Sequence, residues 1–275
     1  SSAASVVYKR QVLGESMKYS GSIWDNGTHT LDAADDRTIK TYLERADVAD
    51  GQTILDLGCG WGSLSLYLAE HYPGSLITAV TNSATQKEFI ESECRQKKIS
   101  NLGVLKSDVN DLSFASTFDR IFAIEMLEHT RNVGQLLNRV ATWMSDSSRF
   151  FVQVFSHQKY PQYFDDVENS WMARYFFTGG MMPYLDLYKD IDSRLCPVET
   201  WVESGEHYHK SLESWLRNLD ANSTRLRESL DAYQLADTTS TLVNRFRFFL
   251  IICSELFRYN RGNDWVVVNH LFRKV

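Results

Sequence analysis

The sequence of 275 residues lacks several features that would place it in a specialised class of protein. No uninterrupted apolar run approaches the roughly 18 residues that cross a bilayer, and the first segment, SSAASVVYKRQ, has no apolar stretch of the signal-peptide kind. The lysines and arginines form no block and the net charge is −6, so the basic surface of a nucleic-acid binder is missing. We therefore expect a soluble, cytoplasmic protein with no nucleic-acid partner and no integral membrane association.

Cysteine and proline are also scarce. The four cysteines, Cys59, Cys94, Cys196 and Cys253, stand far apart and form no CxxC pair, so neither a zinc site nor a disulfide framework is indicated. We expect no bound metal. The four prolines are scattered, and no repeat or low-complexity tract occurs. With 43% hydrophobic residues, the chain has enough apolar material for one large domain or a domain with a cap.

Strand and helix patterns alternate through the first half of the chain. Residues 31–46 have apolar positions at helical spacing, the apolar segment TILDLGCG ends on glycines, and WGSLSLYLAEHY is again helical. The alternation continues with strands in SLITAVT, NLGVLKSD, FDRIFAIEML and RFFVQVF and with helices at 84–98 and 133–144. This order predicts an α/β fold with a parallel, doubly wound, Rossmann-like sheet and helices on both faces.

The alternation stops after Ser156. Residues 157–190 are rich in aromatic and methionine side chains without a clear period, which is typical of a cap over a site. A helix near 212–219, a long aromatic helix at about 235–257 and the strand DWVVVNHLFRK close the chain. The predicted parts are an N-terminal lid (1–30), a cofactor-binding core (31–156), an inserted helical cap that binds substrate (157–235), and a C-terminal helix and strand completing the core (236–275).

A glycine-rich turn follows the first strand. In DLGCGWG, Asp56 precedes Gly58, Gly60 and Gly62 at the carboxyl end of the strand, where open α/β sheets bind ligands. Glycines let the backbone approach a ligand closely, and the Asp56 carboxylate can order the loop or meet a cationic amino group. The spacing GxGxG differs from the GxGxxG of pyridine-dinucleotide sites. The order DLGCGxG after the ILDLG strand instead resembles the adenosylmethionine-binding motif of class I methyltransferases. An ordinary tight turn is the structural alternative.

Polar side chains end the next two strands as well. Thr81 and Asn82 follow the second strand, and Gln86 lies just behind them. Many class I methyltransferases place an acidic residue here to hold the ribose of adenosylmethionine; this chain has none, so the resemblance makes these three the candidates for ribose contacts. An exposed position at the helix start is the alternative for Gln86. Asp108 and Val109 end the third strand, where an acid beside an apolar residue suits an adenine amino group and ring face.

Tyr19 and Ser20 precede the first helix in MKYSGS. Outside the regular fold, these side chains can reach over the carboxylate of a bound cofactor as a lid. A plain surface turn is the alternative for this segment.

The fourth strand ends in the segment EMLEH. Glu125, Glu128 and His129 are spaced i, i+3 and i+4, which places them on one face if the segment is a helical turn. Carboxylates attract a cationic amine, and a histidine that titrates near neutrality can accept the proton that the amine must lose before its lone pair attacks a methyl donor. A solvated helix start for Glu128 and a core histidine for His129 are the structural alternatives.

Six segments resemble the coclaurine N-methyltransferase group, a branch of the cyclopropane fatty acid synthase-like superfamily of class I methyltransferases. They are MKYSGSIWDNGTHTLDAA, ILDLGCGWGSLSLYLAEHYP, ITAVTNSATQKEFIE, EMLEHTRN, GEHYHKSLESWLRNLDAN and SELFRYNRGNDWVVVNHLFRK. The resemblance implies the cofactor S-adenosyl-L-methionine, the product S-adenosyl-L-homocysteine, and N-methylation of a small aromatic or alkaloid-like amine. The expected partner is thus a small-molecule amine, with a homodimer as the alternative to a monomer.

The same resemblance implies roles for particular residues. Glu125, Glu128 and His129 would line the amine site as catalytic residues, and Glu125 would also contact the cofactor. Tyr19 and Ser20 would contact its methionine part, and the TNSxxQ run would face its ribose.

Aromatic residues of the cap and of the C-terminal helix are candidates for the substrate pocket. Each ring face stabilises a cation by roughly 0.5–2 kcal/mol. The candidates are Trp171, Phe177, His207, Tyr208 and Phe246. His207 and Tyr208 match a substrate-facing stretch of the family, while core packing is the alternative for all five. Phe246 falls where the plant enzymes carry a tryptophan near the alkaloid, which suggests a different substrate.

A lipid-modifying cyclopropane synthase is the alternative function within this superfamily. Those enzymes hold a bicarbonate with several residues, among them a cysteine near the lid and a histidine after the fifth strand. Here Gly21 or Ser22 stands at the lid position, Val154 stands near the strand position, and His157 is displaced by three residues. The loss of two bicarbonate ligands favours the amine reaction. A non-catalytic cofactor-binding scaffold is disfavoured by the intact glycine loop and the acid–base residues.

Overall fold

A seven-stranded mixed sheet forms the centre of the protein. The computed structural model describes residues 9–164, 171–176, 179–231 and 238–275. The strands are β1 (Thr53–Leu57), β2 (Leu76–Thr81), β3 (Leu102–Lys106), β4 (Phe118–Ile124), β5 (Met144–His157), β6 (Gln162–Tyr163), β7 (Met181–Met182), β8 (Leu195–Ser204) and β9 (Trp265–Lys274). The main sheet has the order β3-β2-β1-β4-β5-β9-β8, and β6 pairs with β7 separately.

Helices cover both faces of this sheet. They are α1 (Leu31–Arg45), α2 (Ser63–His71), α3 (Ala84–Lys97), α4 (Val133–Thr142), α5 (Trp171–Tyr175), α6 (Leu187–Asp190), α7 (Gly205–Ala221), α8 (Ser223–Asp231) and α9 (Thr239–Arg258), with 3₁₀ helices at Val109–Asp111, Leu127–His129 and Tyr259–Gly262. Side chains of a strand alternate between the faces. Ile54 therefore packs with α1 and α2, whereas its neighbour Leu55 packs with α4.

Local sequence sets the ends of these helices. Thr30 caps α1 by accepting a hydrogen bond from the Ala33 amide at 3.2 Å, and Asn132 caps α4 by accepting one from Gln135 at 3.1 Å. Such caps satisfy amide groups that the helix itself leaves unpaired. Both helices thus begin directly after a loop that contributes to the site described below.

The sequence correctly predicts the five parallel strands β1 to β5, but the sheet as a whole is mixed. The predicted C-terminal strand, β9, pairs antiparallel to β5, and β8 pairs antiparallel to β9. β8 was not predicted because it is an edge strand with only partial burial, and the register shifts between Pro197 and Glu199. This strand lies within the segment 157–235 assigned to the cap, so that segment also contributes to the core sheet. The four-part division otherwise stays a prediction.

Of the two predicted C-terminal helices, the first is longer than expected and the second begins later than expected. The helix near 212–219 is part of α7, and the aromatic helix begins at Thr239. These helices pack with α8 and the N-terminal segment in an apolar cluster. The Asn218 side chain donates to the Val12 carbonyl at 2.9 Å, which fastens the start of the described chain to α7.

Within the described ranges, no helix combines the length and the apolar character needed to cross a membrane. The cytoplasmic location stays a prediction.

We predict that Gly205→Ala destabilises the protein strongly. Gly205 begins α7, and a Cβ there would lie 2.1 Å from the Trp265 carbonyl oxygen and 2.4 Å from that of Phe257. Backbone atoms cannot move aside cheaply, so we expect a loss of about 3 kcal/mol in the free energy of unfolding, measured by urea denaturation. Gly103→Ala in β3 is the matched control, because a Cβ there meets nothing within 4 Å. Equal stability of the two variants would contradict this packing.

Candidate active site

Two adjoining cavities lie at the carboxyl ends of the parallel strands. The larger has a volume of about 630 Å³, and the smaller, of about 150 Å³, lies beneath the N-terminal segment. Gly58, Gly60, Gln86 and Glu125 line both cavities. The two are therefore parts of one elongated cleft, at the edge of the sheet where the sequence predicts a ligand.

The glycine turn forms the floor of this cleft. Gly58 has φ +81°, and a Cβ there would lie 2.6 Å from Met126 Cγ, so glycine is required both for the conformation and for the space. Gly60 also has a positive φ and lines both cavities. Gly62 differs, because it lines neither cavity and a Cβ there would meet the Ile90 side chain at 2.8 Å. Its structural role is to let α2 pack closely on α3.

Asp56 places a buried carboxylate in the smaller cavity. Its Oδ2 accepts a hydrogen bond from Ser65 Oγ at 2.5 Å, and its side chain is 2% exposed. Burial raises the pKa of Asp56 to about 6, and the Ser65 bond opposes this. A cation in the cavity would stabilise the ionised form, which agrees with the expected role toward an amino group.

The larger cavity is lined by the other predicted cofactor residues, Thr81, Asn82, Gln86, Asp108 and Val109. Thr81 Oγ1 donates to Gln86 Oε1 at 2.5 Å, so the Gln86 amide is oriented and keeps its NH₂ group as a donor. Gln86 is thus held in place rather than projecting freely from α3. Asp108 Oδ1 accepts from the backbone and the side chain of Asn110, at 2.8 and 2.9 Å.

Sequence reasoning missed several residues of this cavity. Arg139, on α4, donates to the carbonyl of Val109 at 2.9 Å and to that of Asn110, and so supports the wall formed by that loop. The other unpredicted lining residues are Leu57, Val80, Ser107, Asn110, Met126, Thr130, Arg131, Asn132, Gln135 and Leu136. Ser107 and Met126 adjoin predicted residues at strand ends, a signal that could have found them. Arg139 comes from the far end of a helix and gives no such signal.

Glu125 is held by donors from three separate parts of the chain. Its Oε1 accepts from the Gly21 amide at 3.3 Å and from Gln153 Nε2 at 3.0 Å, and its Oε2 accepts from the Tyr208 hydroxyl at 2.8 Å. Burial raises the pKa of Glu125 above its ordinary value, and the Lys18 cation and these donors oppose that rise only in part. The bonds all suit the ionised carboxylate.

The lid residues Tyr19 and Ser20 line the smaller cavity. Beside them lies a buried lysine, Lys18, which donates to the carbonyls of Ser20 at 2.9 Å and Gly21 at 2.6 Å and to Ser22 Oγ at 3.0 Å. Ser22 Oγ in turn donates to the buried Asp35 carboxylate of α1 at 2.5 Å. The lid is therefore tied to α1 by a buried polar network that the sequence did not reveal.

Glu125, Glu128 and His129 do not share one helical face. Glu125 has φ +49° and precedes the 3₁₀ helix Leu127–His129, so the chain turns sharply after β4. Glu125 and His129 line the larger cavity. Glu128 points inward and is 1% exposed; its Oε1 accepts from the Phe155 amide at 3.0 Å, and its Oε2 has no hydrogen-bond partner among the described residues.

The surroundings of Glu128 and His129 shift both pKa values toward the uncharged forms. Burial, reinforced by the charge of Glu125, raises the pKa of Glu128 well above its ordinary value, which favours the protonated acid. Desolvation lowers the pKa of His129 below its ordinary value, which favours the neutral imidazole at pH 7. The segment thus combines a carboxylate held by three donors, a buried carboxyl group that favours its acid form, and an imidazole that favours its neutral form.

Among the predicted substrate residues, Tyr208 comes nearest to this segment. Its ring stacks on Phe257 at 4.3 Å, and a Cβ on Gly21 would lie 2.6 Å from its Cγ, so the absence of a side chain at Gly21 lets the ring lie over the lid. His207 instead accepts a hydrogen bond at Nδ1 from the Trp24 amide at 2.9 Å. It fixes the lid backbone.

The remaining aromatic candidates belong to a cluster of rings around α5 and α9. Trp171 lies 5.2 Å from Phe176, which stacks on Phe249 at 4.1 Å, and Phe246 lies 5.9 Å from Phe249. Trp171 and Phe246 thus pack with other rings rather than against Glu125. Phe177 lies outside the described residues.

These features together define a class I methyltransferase, an enzyme that uses S-adenosyl-L-methionine. They are a Rossmann-like sheet, a glycine turn after β1, polar residues after β2 and β3, and an acidic segment after β4. Residues 5–266 match the model of the mycolic acid cyclopropane synthetase family, and the chain belongs to this family.

Individual relatives narrow the position within the family. The chain is 35% identical to the (S)-coclaurine N-methyltransferase of Thalictrum flavum subsp. glaucum, over 95% of this chain and 74% of the relative. A crystal structure of coclaurine N-methyltransferase bound to N-methylheliamine and S-adenosylhomocysteine superposes with a TM-score of 0.93 at 32% identity, covering 98% of this chain and 81% of the other. The cyclopropane-fatty-acyl-phospholipid synthase of Escherichia coli K12 is more distant, at 26% identity over 94% of this chain and 63% of the relative.

We predict that Gly58→Ala weakens binding of S-adenosylhomocysteine by at least about tenfold, or about 1.4 kcal/mol. Its new Cβ would press on the base of the Met126 side chain in the wall of the cleft. Isothermal titration calorimetry measures the affinity.

Gly51→Ala is the matched control for this variant. Gly51 also has a positive φ, +87°, but a Cβ there meets nothing within 4 Å, so both variants share the backbone strain and only one alters the cleft. Equal affinities in the two variants would refute the cleft assignment.

Proposed function

We propose that the protein transfers the methyl group of S-adenosyl-L-methionine to the nitrogen of a small, aromatic, alkaloid-like amine. The observation that carries this proposal is the position of Tyr208, whose ring belongs to the aromatic surroundings of the cap and whose hydroxyl contacts Glu125 in the cleft. An aromatic surface and a fixed anion therefore meet beside the cofactor cleft. A cationic aromatic amine matches both features.

The residues of the cleft fit the cofactor. Glycine at position 58 leaves a cradle that a Cβ would fill, and the buried Asp56 carboxylate suits the cofactor's amino group. We assign the amino-acid end to the smaller cavity with Tyr19, Ser20 and Asp56, the ribose to Thr81, Asn82 and Gln86, and the adenine to Asp108 and Val109. When bound, the cofactor supplies a methyl group on a positively charged sulfur, which a neutral amine nitrogen can attack directly.

Glu125 is the group that attracts the substrate. It lines both cavities, so it lies where the two halves of the cleft meet. Three donors prevent the carboxylate from turning away, and a fixed anion in a partly desolvated cleft attracts an ammonium group more strongly than one in water.

His129 is the proposed general base. Because its pKa is lowered, the neutral imidazole can take the proton from the substrate ammonium; the N–H bond breaks, and its electron pair stays on the amine nitrogen as the nucleophile. The side chain lines the cleft, as this role requires.

Glu128 supports this step by positioning the segment that carries His129. Its Oε1 fixes the Phe155 amide of β5, and it is the chain neighbour of His129. Since burial raises its pKa and favours the acid form, we assign it to positioning and to hydrogen bonding through Oε2 rather than to proton abstraction.

The lipid reaction is disfavoured at two positions where the cyclopropane synthases hold bicarbonate. Val154 is fully buried in the core and offers no polar atom. His157 accepts hydrogen bonds at Nδ1 from the amides of Lys159 and Tyr160, at 3.0 and 3.1 Å, and so caps its own loop. At the lid position, Gly21 has no side chain to contribute, and the Ser22 hydroxyl is already bonded to Lys18 and Asp35.

The test of the proposed function is methyl transfer from labelled S-adenosylmethionine to a panel of primary, secondary and tertiary arylalkylamines. Phenolic analogues without nitrogen and vesicles of unsaturated phospholipid are the parallel substrates. We expect label in the amines alone. Label in lipid with none in any amine would overturn the proposal.

We predict that His129→Gln lowers kcat by about 100-fold or more while the affinity for S-adenosylhomocysteine is unchanged. The wild-type kcat should fall as the pH drops below the ordinary histidine pKa, because the imidazole is then protonated, and the variant should lack this acid limb. Rates measured at saturating amine separate this effect from substrate titration. His71→Gln on the exposed face of α2 is the control, and a normal rate in His129→Gln would remove the assignment of the base.

Two substitutions test whether Glu128 acts as the protonated acid or as the ionised carboxylate. If it acts protonated, Glu128→Gln preserves its shape and hydrogen-bonding capacity and should keep kcat within about threefold of the wild type. Glu128→Ala removes the acceptor of the Phe155 amide and should lower kcat by about tenfold or more. A large loss in both variants would instead indicate that the ionised carboxylate is needed.

A further inference from the structure

Lys9 places an ammonium group at the rim of the smaller cavity. Residues 9–12 are helical, and Lys9 lines this cavity together with Tyr19 and Trp61. Its Nζ lies 4.2 Å from the centroid of the Tyr19 ring and 5.6 Å from that of Trp61. The cation is therefore held between the lid and the glycine turn rather than extended into solvent.

Among the described residues, no carboxylate compensates the charge of Lys9. Burial lowers the pKa of Lys9 to about 8, with no acidic group to raise it. Within the part of the chain that the structure describes, no carboxylate forms an ion pair with its ammonium. Its neighbour Arg10, in contrast, pairs with Glu93 at 2.7 Å. Two aromatic faces stabilise the Lys9 cation partly, but they leave it suited to an anionic partner.

The other lysine of this cavity cannot take that partner. Lys18 also lines the cavity, but its three ammonium hydrogens are accounted for by Ser20, Gly21 and Ser22. An ammonium group has three donors and no more. Lys9 is thus the cavity's available cation, and Asp56 is its buried carboxylate.

We propose that Lys9 binds the carboxylate of the amino-acid end of S-adenosylmethionine and S-adenosylhomocysteine. Lys9 and Asp56 then present a cation and an anion to a zwitterion, with the Tyr19 ring against the Lys9 ammonium. The start of the described chain becomes the outer wall of the cofactor site. This inference rests on the assignment of the smaller cavity to the amino-acid end of the cofactor.

Calorimetric titration with two ligands tests the inference. One is S-adenosylhomocysteine, and the other is its decarboxylated analogue, which differs only in lacking the carboxylate. We expect the wild type to bind S-adenosylhomocysteine at least about tenfold more tightly than the analogue. Lys9→Met should abolish that preference by weakening S-adenosylhomocysteine alone, because the apolar stem remains and only the charge is removed.

Lys40→Met is the control for a general loss of positive charge, since Lys40 lies on the exposed side of α1 and pairs with Asp36. It should bind both ligands as the wild type does. A wild type that does not discriminate between the ligands would overturn the cavity assignment, and the inference with it. A wild type that discriminates, with the same preference kept in Lys9→Met, would overturn the role of Lys9 while leaving the proposed function intact.

Lys9→Arg provides a second readout. Because the pKa of Lys9 is about 8, raising the pH from 7 to 9 removes most of its charge before binding, whereas an arginine stays charged. The affinity of the wild type for S-adenosylhomocysteine should therefore fall more steeply over this range than that of Lys9→Arg. Equal pH dependence in the two proteins would contradict a carboxylate contact through Lys9.

Discussion

The rest of the site depends on the hydrogen bonds that hold the partly buried carboxylate of Glu125. Its donors come from the lid, from β5 and from α7, which are far apart in the chain. Burying an anion is costly unless hydrogen bonds and an opposite charge offset the lost hydration. The ionised form is therefore stable only when these three elements and the Lys18 cation are assembled together. The site is therefore complete only when the lid is docked on the core.

The lid is bound to the core by charge as well as by packing. Lys18 and Asp35 are both nearly fully buried, and Ser22 lies between them with bonds to each. Removal of either charge would leave the other uncompensated in the interior, which is strongly unfavourable. The lid is therefore a fixed wall of the smaller cavity.

How far the sequence predicts this site depends on the range of each interaction. Asp56, Thr81 and Asp108 were predicted because residues at the carboxyl ends of parallel strands must meet at one edge of the sheet. Gln153 carried a weak signal, as a polar residue inside the apolar strand RFFVQVF, but its bond to Glu125 depends on strand pairing. The partners of Lys18 lie within a loop and gave no periodic pattern.

The prediction that Glu125, Glu128 and His129 share one helical face was wrong for a related reason. Spacing of i, i+3 and i+4 predicts a shared face only if all the residues are helical, and the left-handed φ of Glu125 breaks the helix before it begins. That conformation aims Glu125 toward the lid while Glu128 turns into the core. A positive φ at a residue other than glycine is uncommon and could not be read from EMLEH.

The resulting separation of the two carboxylates fixes the charge that the cleft offers to a substrate. The pKa values of both carboxyl groups are raised by burial, but only Glu125 has three donors and the Lys18 cation to oppose that shift. Glu125 is therefore the carboxylate that the surroundings favour in its ionised form, and Glu128 is the one favoured as the acid. At Glu125 the cleft presents a fixed carboxylate next to the Tyr208 hydroxyl. An ammonium group can form an ion pair with this carboxylate, whereas the uncharged alkene of a lipid chain cannot, so this contact favours an amine.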